Sequence, residues 1–183
     1  MKTVYVFIAE GFEDIEAITP IDILRRAELN VVTVSITSDV LVTSAHNITI
    51  KTDTTINKIN TEDADLLILP GGMPGSNNLN SSELLKSIIS KHNDKKGLIA
   101  AICAAPIILG DLGILKGKQA ICYPSYEPRL KGATIVNQPV VVDGNIITAK
   151  GVGAAIKFSL KLIEILLDKT VSDIWSQKLV VEY

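Results

Sequence analysis

The chain has 183 residues, and its 18 Lys and Arg against 20 Asp and Glu give a net charge of −2, which leaves no basic excess to attract a polyanion. A 47% hydrophobic but only 4% aromatic composition calls for an aliphatic core, and two cysteines make no disulfide framework. Nucleic acid is therefore excluded as an expected partner. A membrane is excluded with it, since no apolar run reaches the ~18 residues of a span.

No linker, repeat or low-complexity stretch interrupts the sequence, so residues 1–183 read as a single domain. The first ten residues are too short an apolar run for a signal peptide and lack a small-residue cleavage site. They read as a core strand over 3–8, and the expected location is cytoplasmic. A helix is predicted over 14–28, with Ile15, Ile18, Ile23 and Leu24 roughly on one face. Pro20 inside it removes a backbone donor and should kink or divide it. A strand follows at 31–36, and the Thr- and Val-rich alternation of 40–53 fits a pair of short edge strands. Residues 64–69 form another buried strand, stopped by Pro70-Gly71-Gly72.

Asn80-Ser-Ser-Glu83 has the form of a capping box and opens a helix over 81 to about 92. A strand at 98–102 and a helix at about 106–112 come next. Further strands are predicted at 119–122, 140–142 and 146–148, the last two joined by the hairpin turn Asp143-Gly144-Asn145. The longest helix is expected over 153–168. Apolar runs alternating with amphipathic stretches predict an α/β fold, a flavodoxin-like sandwich of a mostly parallel sheet with helices on both faces. In such sheets the site lies beyond the carboxyl ends of the strands.

Three strand ends are candidates for that site: Glu10-Gly-Phe-Glu-Asp-Ile-Glu16, Leu69-Pro-Gly-Gly-Met73 and Ala100-Ala-Ile-Cys-Ala-Ala-Pro106. Small residues around Cys103 leave room for the sharp strand-to-helix turn of a nucleophile elbow. A helix N-terminus there would favour the thiolate and lower its pKa, and the Ala104 amide would face an oxyanion beside the sulfur. Free cysteine is also a common buried hydrophobe, and context alone leaves both readings open. Cys122, with no helix start behind it, reads as structural. Glu16, Glu13 and Asp14 compete as the carboxyl near Cys103, and spacing does not choose among them. His92 ends a polar helix and is expected to be exposed; His46 lies in the edge-strand segment. Gly151-Val-Gly153 lacks the third glycine of a dinucleotide fingerprint, because Ile156 stands there. The scattered Cys and His show no metal-ligand spacing.

The stretches Glu10-Gly-Phe-Glu-Asp-Ile-Glu-Ala17, Leu69-Pro-Gly-Gly-Met-Pro-Gly75, Lys96-Gly-Leu-Ile-Ala-Ala-Ile-Cys-Ala-Ala-Pro106 and Thr148-Ala-Lys-Gly-Val-Gly153 resemble the ThiJ/PfpI family, and within it the branch containing the parkinsonism-associated protein deglycase. The similarity runs from the first strand to the tail Lys178-Leu-Val-Val-Glu182. It implies a flavodoxin-like domain of the class I glutamine amidotransferase-like type, usually a homodimer. Cys103 is then the nucleophile and Glu16 the carboxyl hydrogen-bonded to it, while the amides of Gly72 and Ala104 match the oxyanion pocket. Where that branch often has a His before Pro, this sequence has Tyr123-Pro124, and a phenol is a poor base at neutral pH. The protease-like branch has His directly after the Cys, and here Ala104 stands there. No Cys–His dyad is evident, which argues against peptidase and triad-type amidotransferase chemistry.

The expected function is a cofactor-independent glyoxalase- or deglycase-type enzyme acting on a small-molecule carbonyl substrate, with Cys103 as nucleophile, Glu16 as proton partner, and Tyr123 and Glu13 in support. The alternative is an oxidative-stress-responsive redox sensor or chaperone-like protein that uses Cys103 oxidation.

Overall fold

In the computed structural model, residues 1–181 are described. The final residue of the Lys178–Glu182 match, Glu182, lies outside them. Seven strands form the main sheet: β1 (Thr3–Ile8), β2 (Asn30–Ser35), β5 (Thr54–Thr55), β6 (Leu66–Leu69), β7 (Leu98–Ile102), β10 (Val140–Asp143) and β11 (Ile146–Ala149). Their spatial order is β10-β11-β7-β6-β1-β2-β5, and every pairing is parallel except β10 with β11. The flavodoxin-like sandwich inferred from the alternation of elements is the fold observed.

Side chains of successive strand residues go to opposite faces, and two cores result. Val4, Val6, Ile8, Leu66, Ile68, Ala100 and Ile102 pack on one face with α1 (Asp14–Arg26) and α5 (Ala155–Leu166). Phe7, Leu67, Leu69, Ile99 and Ala101 pack on the other with α2 (Gly75–Ser81), α3 (Glu83–Asp94) and α4 (Pro106–Asp111). All four residues of β6 are buried, as a strand covered on both faces requires. Beyond α5 the chain adds α6 (Lys169–Lys178), which the sequence reading did not include.

Several local expectations are corrected. The first helix runs unbroken through Pro20, whose missing donor falls on the Glu16 carbonyl. Its inner face carries Ile23 and Leu24, but Ile15 and Ile18 point outward, 49% and 41% exposed. The cap before α3 is Ser82, not Asn80, and it accepts from the Leu85 amide at 3.3 Å; Asn80 and Ser81 belong to α2, a helix the sequence did not predict. α5 begins two residues later than predicted, after a 3-10 turn at Val152–Ala154. The 119–122 strand shrinks to β8 (Gln119–Ala120), paired outside the main sheet with β9 (Thr134–Ile135). The 40–53 segment does form an antiparallel pair, β3 (Leu41–Thr43) and β4 (Thr49–Lys51). The hairpin between β10 and β11 also stands, with Gly144 at φ +60.

His92 is buried, not exposed: its Nε2 lies 3.1 Å from the Leu98 carbonyl and the ring packs where Gly97 has no side chain. Burial also holds its pKa below the ordinary imidazole value. No helix among the described residues is long and apolar enough to cross a membrane.

Candidate active site

After β1 the chain builds outward to β2 and β5, then returns to the other side of β1 as β6 and continues to β7. Strand order reverses between β1 and β6, and ligand sites of open α/β sheets sit beside such a reversal. The loops leaving β1, β6, β7 and β11 all open on that edge. The first leads into α1, whose first turn carries Glu16, and the other three carry Gly71-Gly72, Cys103 and Lys150-Gly151 respectively.

Cys103 follows β7 directly and takes φ +65, a left-handed conformation rare for a residue with a β-carbon. The neighbours hold it there: its amide donates to the Ala149 carbonyl at 2.9 Å, and its carbonyl accepts from the Tyr123 amide at 2.7 Å. This is the strained elbow that the small residues foreshadowed. The helix behind it is another matter. α4 starts only at Pro106, so a turn separates Cys103 from it, and the expected helix-terminal lowering of the thiol pKa does not occur. Burial pushes the thiol up to about 12, with the charge and hydrogen-bonding of Glu16 adding to the rise. The Gly72 and Ala104 amides act in the opposite sense, so both face the sulfur.

Among the three competing acidic residues the fold selects one. Glu13 is the N-cap of α1, its Oε2 accepting from the Glu16 amide at 2.8 Å. Asp14 pairs with His46, Oδ2 to Nδ1 at 2.7 Å. Glu16 alone is fully buried and turned to Cys103. Burial raises its carboxyl to about 7; the Cys103 thiol and the amides of Gly71 and Val152 partly offset this, while the charge of Glu13 adds to it. No donor meets either carboxylate oxygen with full hydrogen-bond geometry, so these contacts are weak. A pair in which each charge disfavours the other holds one proton between them over a wide pH range.

The fold also brings Glu13, Asp14 and His46 together, with ligand atoms within 4.8 Å of one another. Spacing along the chain had shown no such group. All three side chains are already engaged, Glu13 in the N-cap and the other two in the Asp14–His46 pair.

A cleft of about 660 Å³ opens over Cys103, walled by Glu13, Glu16, Tyr123, Pro139, Lys150 and the turn at Val152–Ala154. A second recess of about 190 Å³, also reaching Cys103, is lined by Gly72, Met73, Ala104, Tyr123 and Tyr126. Tyr123 belongs to both and packs edge-on against Tyr126, ring centres 6.4 Å apart. A separate groove of about 590 Å³ beside α3 contains His92, Lys91 and Glu62 but no nucleophile. Cys122 is fully buried, as its structural reading required.

The DJ-1/PfpI family model matches residues 2–165. The chain belongs to this family. Among its DJ-1 relatives, protein dj-1beta of Drosophila melanogaster is 36% identical over 170 residues, covering 92% of this chain and 91% of the fly protein. DJ-1 homolog A of Arabidopsis thaliana is 39% identical over 175 residues, 94% of this chain, yet the chain spans only 45% of that plant protein. The solved structure of oxidized Toxoplasma gondii DJ-1 superposes with a TM-score of 0.96 at 34% identity, and both chains are covered completely.

Family membership accounts for the motifs quoted from the sequence, but the DJ-1 fold adds residues that sequence reasoning passed over. Gly71, one of the paired glycines already read as a site-forming strand end, gains a specific reason, since a side chain there would strike both Glu16 and Cys103. The residues passed over are Lys150, Gly151 and Val152. They stand in a motif that carried the resemblance, and only their glycine spacing had been weighed.

Proposed function

We propose that this protein is a cofactor-independent enzyme that converts small α-oxoaldehydes, or their adducts, to hydroxy acids through a covalent bond to Cys103. The observation that carries this reading is the buried Glu16 carboxyl turned to a cysteine held in an elbow between two amides. Glu16, with its pKa near 7, takes the thiol proton, and the resulting thiolate is a stronger nucleophile than the thiol.

Sulfur attacks the aldehyde carbon, and the carbonyl electrons move to oxygen beside the Gly72 and Ala104 amides. Glu16 returns its proton to that oxygen, giving a hemithioacetal. It then removes the proton on the former aldehyde carbon and delivers one to the neighbouring ketone carbon through an enediol. The first carbon is thereby oxidised to a thioester as the second is reduced to an alcohol. Water cleaves the thioester and frees the thiol, so methylglyoxal plus water gives lactic acid. Tyr123 covers one side of the sulfur and Glu13 fixes the start of the Glu16 helix.

Lactate formation from methylglyoxal without added thiol is the test. Equal rates in wild type and Cys103→Ala refute the reading. The exposed Ile15 and Ile18 on α1 and the family resemblance also support a homodimer, tested by sedimentation of wild type against Ile15→Glu/Ile18→Glu.

A second reading is supported by the oxidized state of the solved Toxoplasma relative. Peroxide would convert the Cys103 thiolate through sulfenic to sulfinic acid, with protonated Glu16 donating to the new oxyanion. Mass spectrometry after peroxide decides: the reading fails where Cys103 gains no oxygen before Cys122 or the methionines.

A further inference from the structure

Among the described residues, Lys150 is the single cation lining the Cys103 cleft. It leaves the end of β11 with its amide donating to the Pro139 carbonyl at 3.0 Å, which fixes the backbone against the opposite wall. Its ammonium rests on the neutral Asn137 Oδ1 at 2.9 Å, and it has no carboxylate within salt-bridge distance among the described residues. The Glu13 and Glu16 side chains share the cleft with it, but one is held in the helix cap and the other faces the sulfur.

The remaining lining is largely apolar: Tyr123, Pro124, Pro139, Val152 and Ala154. Beside them a β-carbon on Gly153 would touch nothing within 4 Å, so the turn leaves open space. A cleft of about 660 Å³ is of the size that holds ligands well beyond three carbons. Its lining combines a nucleophile and an acid with Lys150, whose ammonium is held by a neutral amide oxygen, and with apolar residues.

We propose that Lys150 is an anion-recognising specificity residue, and that the ligands of this cleft are carbonyl compounds that also carry a carboxylate or phosphate. The carbonyl meets Cys103 while the anionic group replaces Asn137 as the partner of the Lys150 ammonium. This deepens the enzymatic reading by naming the substrate class, and it stands on the same cleft.

The test compares Cys103 alkylation by iodoacetate and by neutral iodoacetamide in the full chain, mapped by mass spectrometry. The iodoacetate-to-iodoacetamide rate ratio is expected to fall about 5- to 10-fold in Lys150→Met, the size of one screened charge pair, and to recover in Lys150→Arg. An unchanged ratio in Lys150→Met overturns the proposal. If neither reagent labels Cys103, pyruvate binding followed by amide NMR shifts of Val152 and Gly153 decides instead. Loss of saturable shifts in Lys150→Met is expected, and equal shifts refute it. Neither readout requires turnover, so absent lactate formation with a Lys150-dependent ratio would refute the enzymatic reading alone. With activity present, kcat/KM for 4,5-dioxopentanoate, an α-oxoaldehyde that carries a carboxylate, should fall in Lys150→Met while that for methylglyoxal holds; equal falls in both overturn the assignment.

Discussion

Gly71 lies against the Glu16 carboxyl: a β-carbon added to it would stand 2.3 Å from Oε2. The same β-carbon would be 2.6 Å from that of Cys103, so a missing side chain is what lets acid and nucleophile approach. Gly71→Ala is expected to destabilise the fold by about 1–3 kcal/mol through overpacking. It should also slow lactate formation by roughly 10²-fold, the effect of misplacing reacting groups by about an ångström. Denaturant unfolding and steady-state kinetics on the same variant check both.

Glu16 should make stability depend on pH. Unfolded, its carboxyl releases its proton near 4.5; folded, it keeps it to about 7. Over that interval the native state binds more protons, so this contribution lowers stability as pH rises from 4.5 and is complete above 7. Glu16→Gln removes the cost and should be more stable than wild type by roughly 2–3 kcal/mol at pH 8 and by little at pH 4. Parallel stability–pH curves for the two proteins would contradict this.

Cys103 alkylation should report the shared proton. In wild type the rate is expected to rise through about pH 7 as the pair loses its first proton, then level off. In Glu16→Gln the step near 7 should vanish. The thiol should then ionise in a single alkaline step below the value of about 12 that the Glu16 charge helps to impose. Iodoacetamide kinetics across pH measure both curves.

Cys103 carries strain that a glycine would relieve. At φ +65 the change Cys103→Gly is expected to stabilise the protein by about 1 kcal/mol while abolishing turnover. Cys103→Val, with a branched β-carbon in the same conformation, should destabilise it. Unfolding midpoints of the three proteins provide the comparison.

Much of the scaffold was legible because its signals are local. The apolar runs at Leu66–Leu69 and Leu98–Ile102 mark strands buried on both faces. The small residues around Cys103 mark a chain reversal there. Where local signals compete, neighbours in sequence do not decide the structure. Ser81, Ser82 and Asn80 are all good caps, and only packing settles that Ser82 opens α3. His92 follows a polar rule by its neighbours in sequence, yet the space above Gly97 draws it inside.

The sequence by itself determined the alternation of strands and helices, the elbow at Cys103, and a set of three acidic residues within reach of it. Those features depend on hydrophobic period, residue size and backbone freedom over a few consecutive positions. The family resemblance named Glu16 among the three, but only the tertiary structure shows it buried and facing Cys103, because burial and facing depend on β1 and β7 being placed about β6. It likewise decided that the thiol is shifted upward, since burial of the sulfur, with the Glu16 carboxyl beside it adding to the rise, outweighs the Gly72 and Ala104 amides, and α4 begins only at Pro106. Lys150 reached the cleft by the same route: pairing of β11 with β7 carries it there across almost 50 residues of chain, a separation over which no local pattern extends.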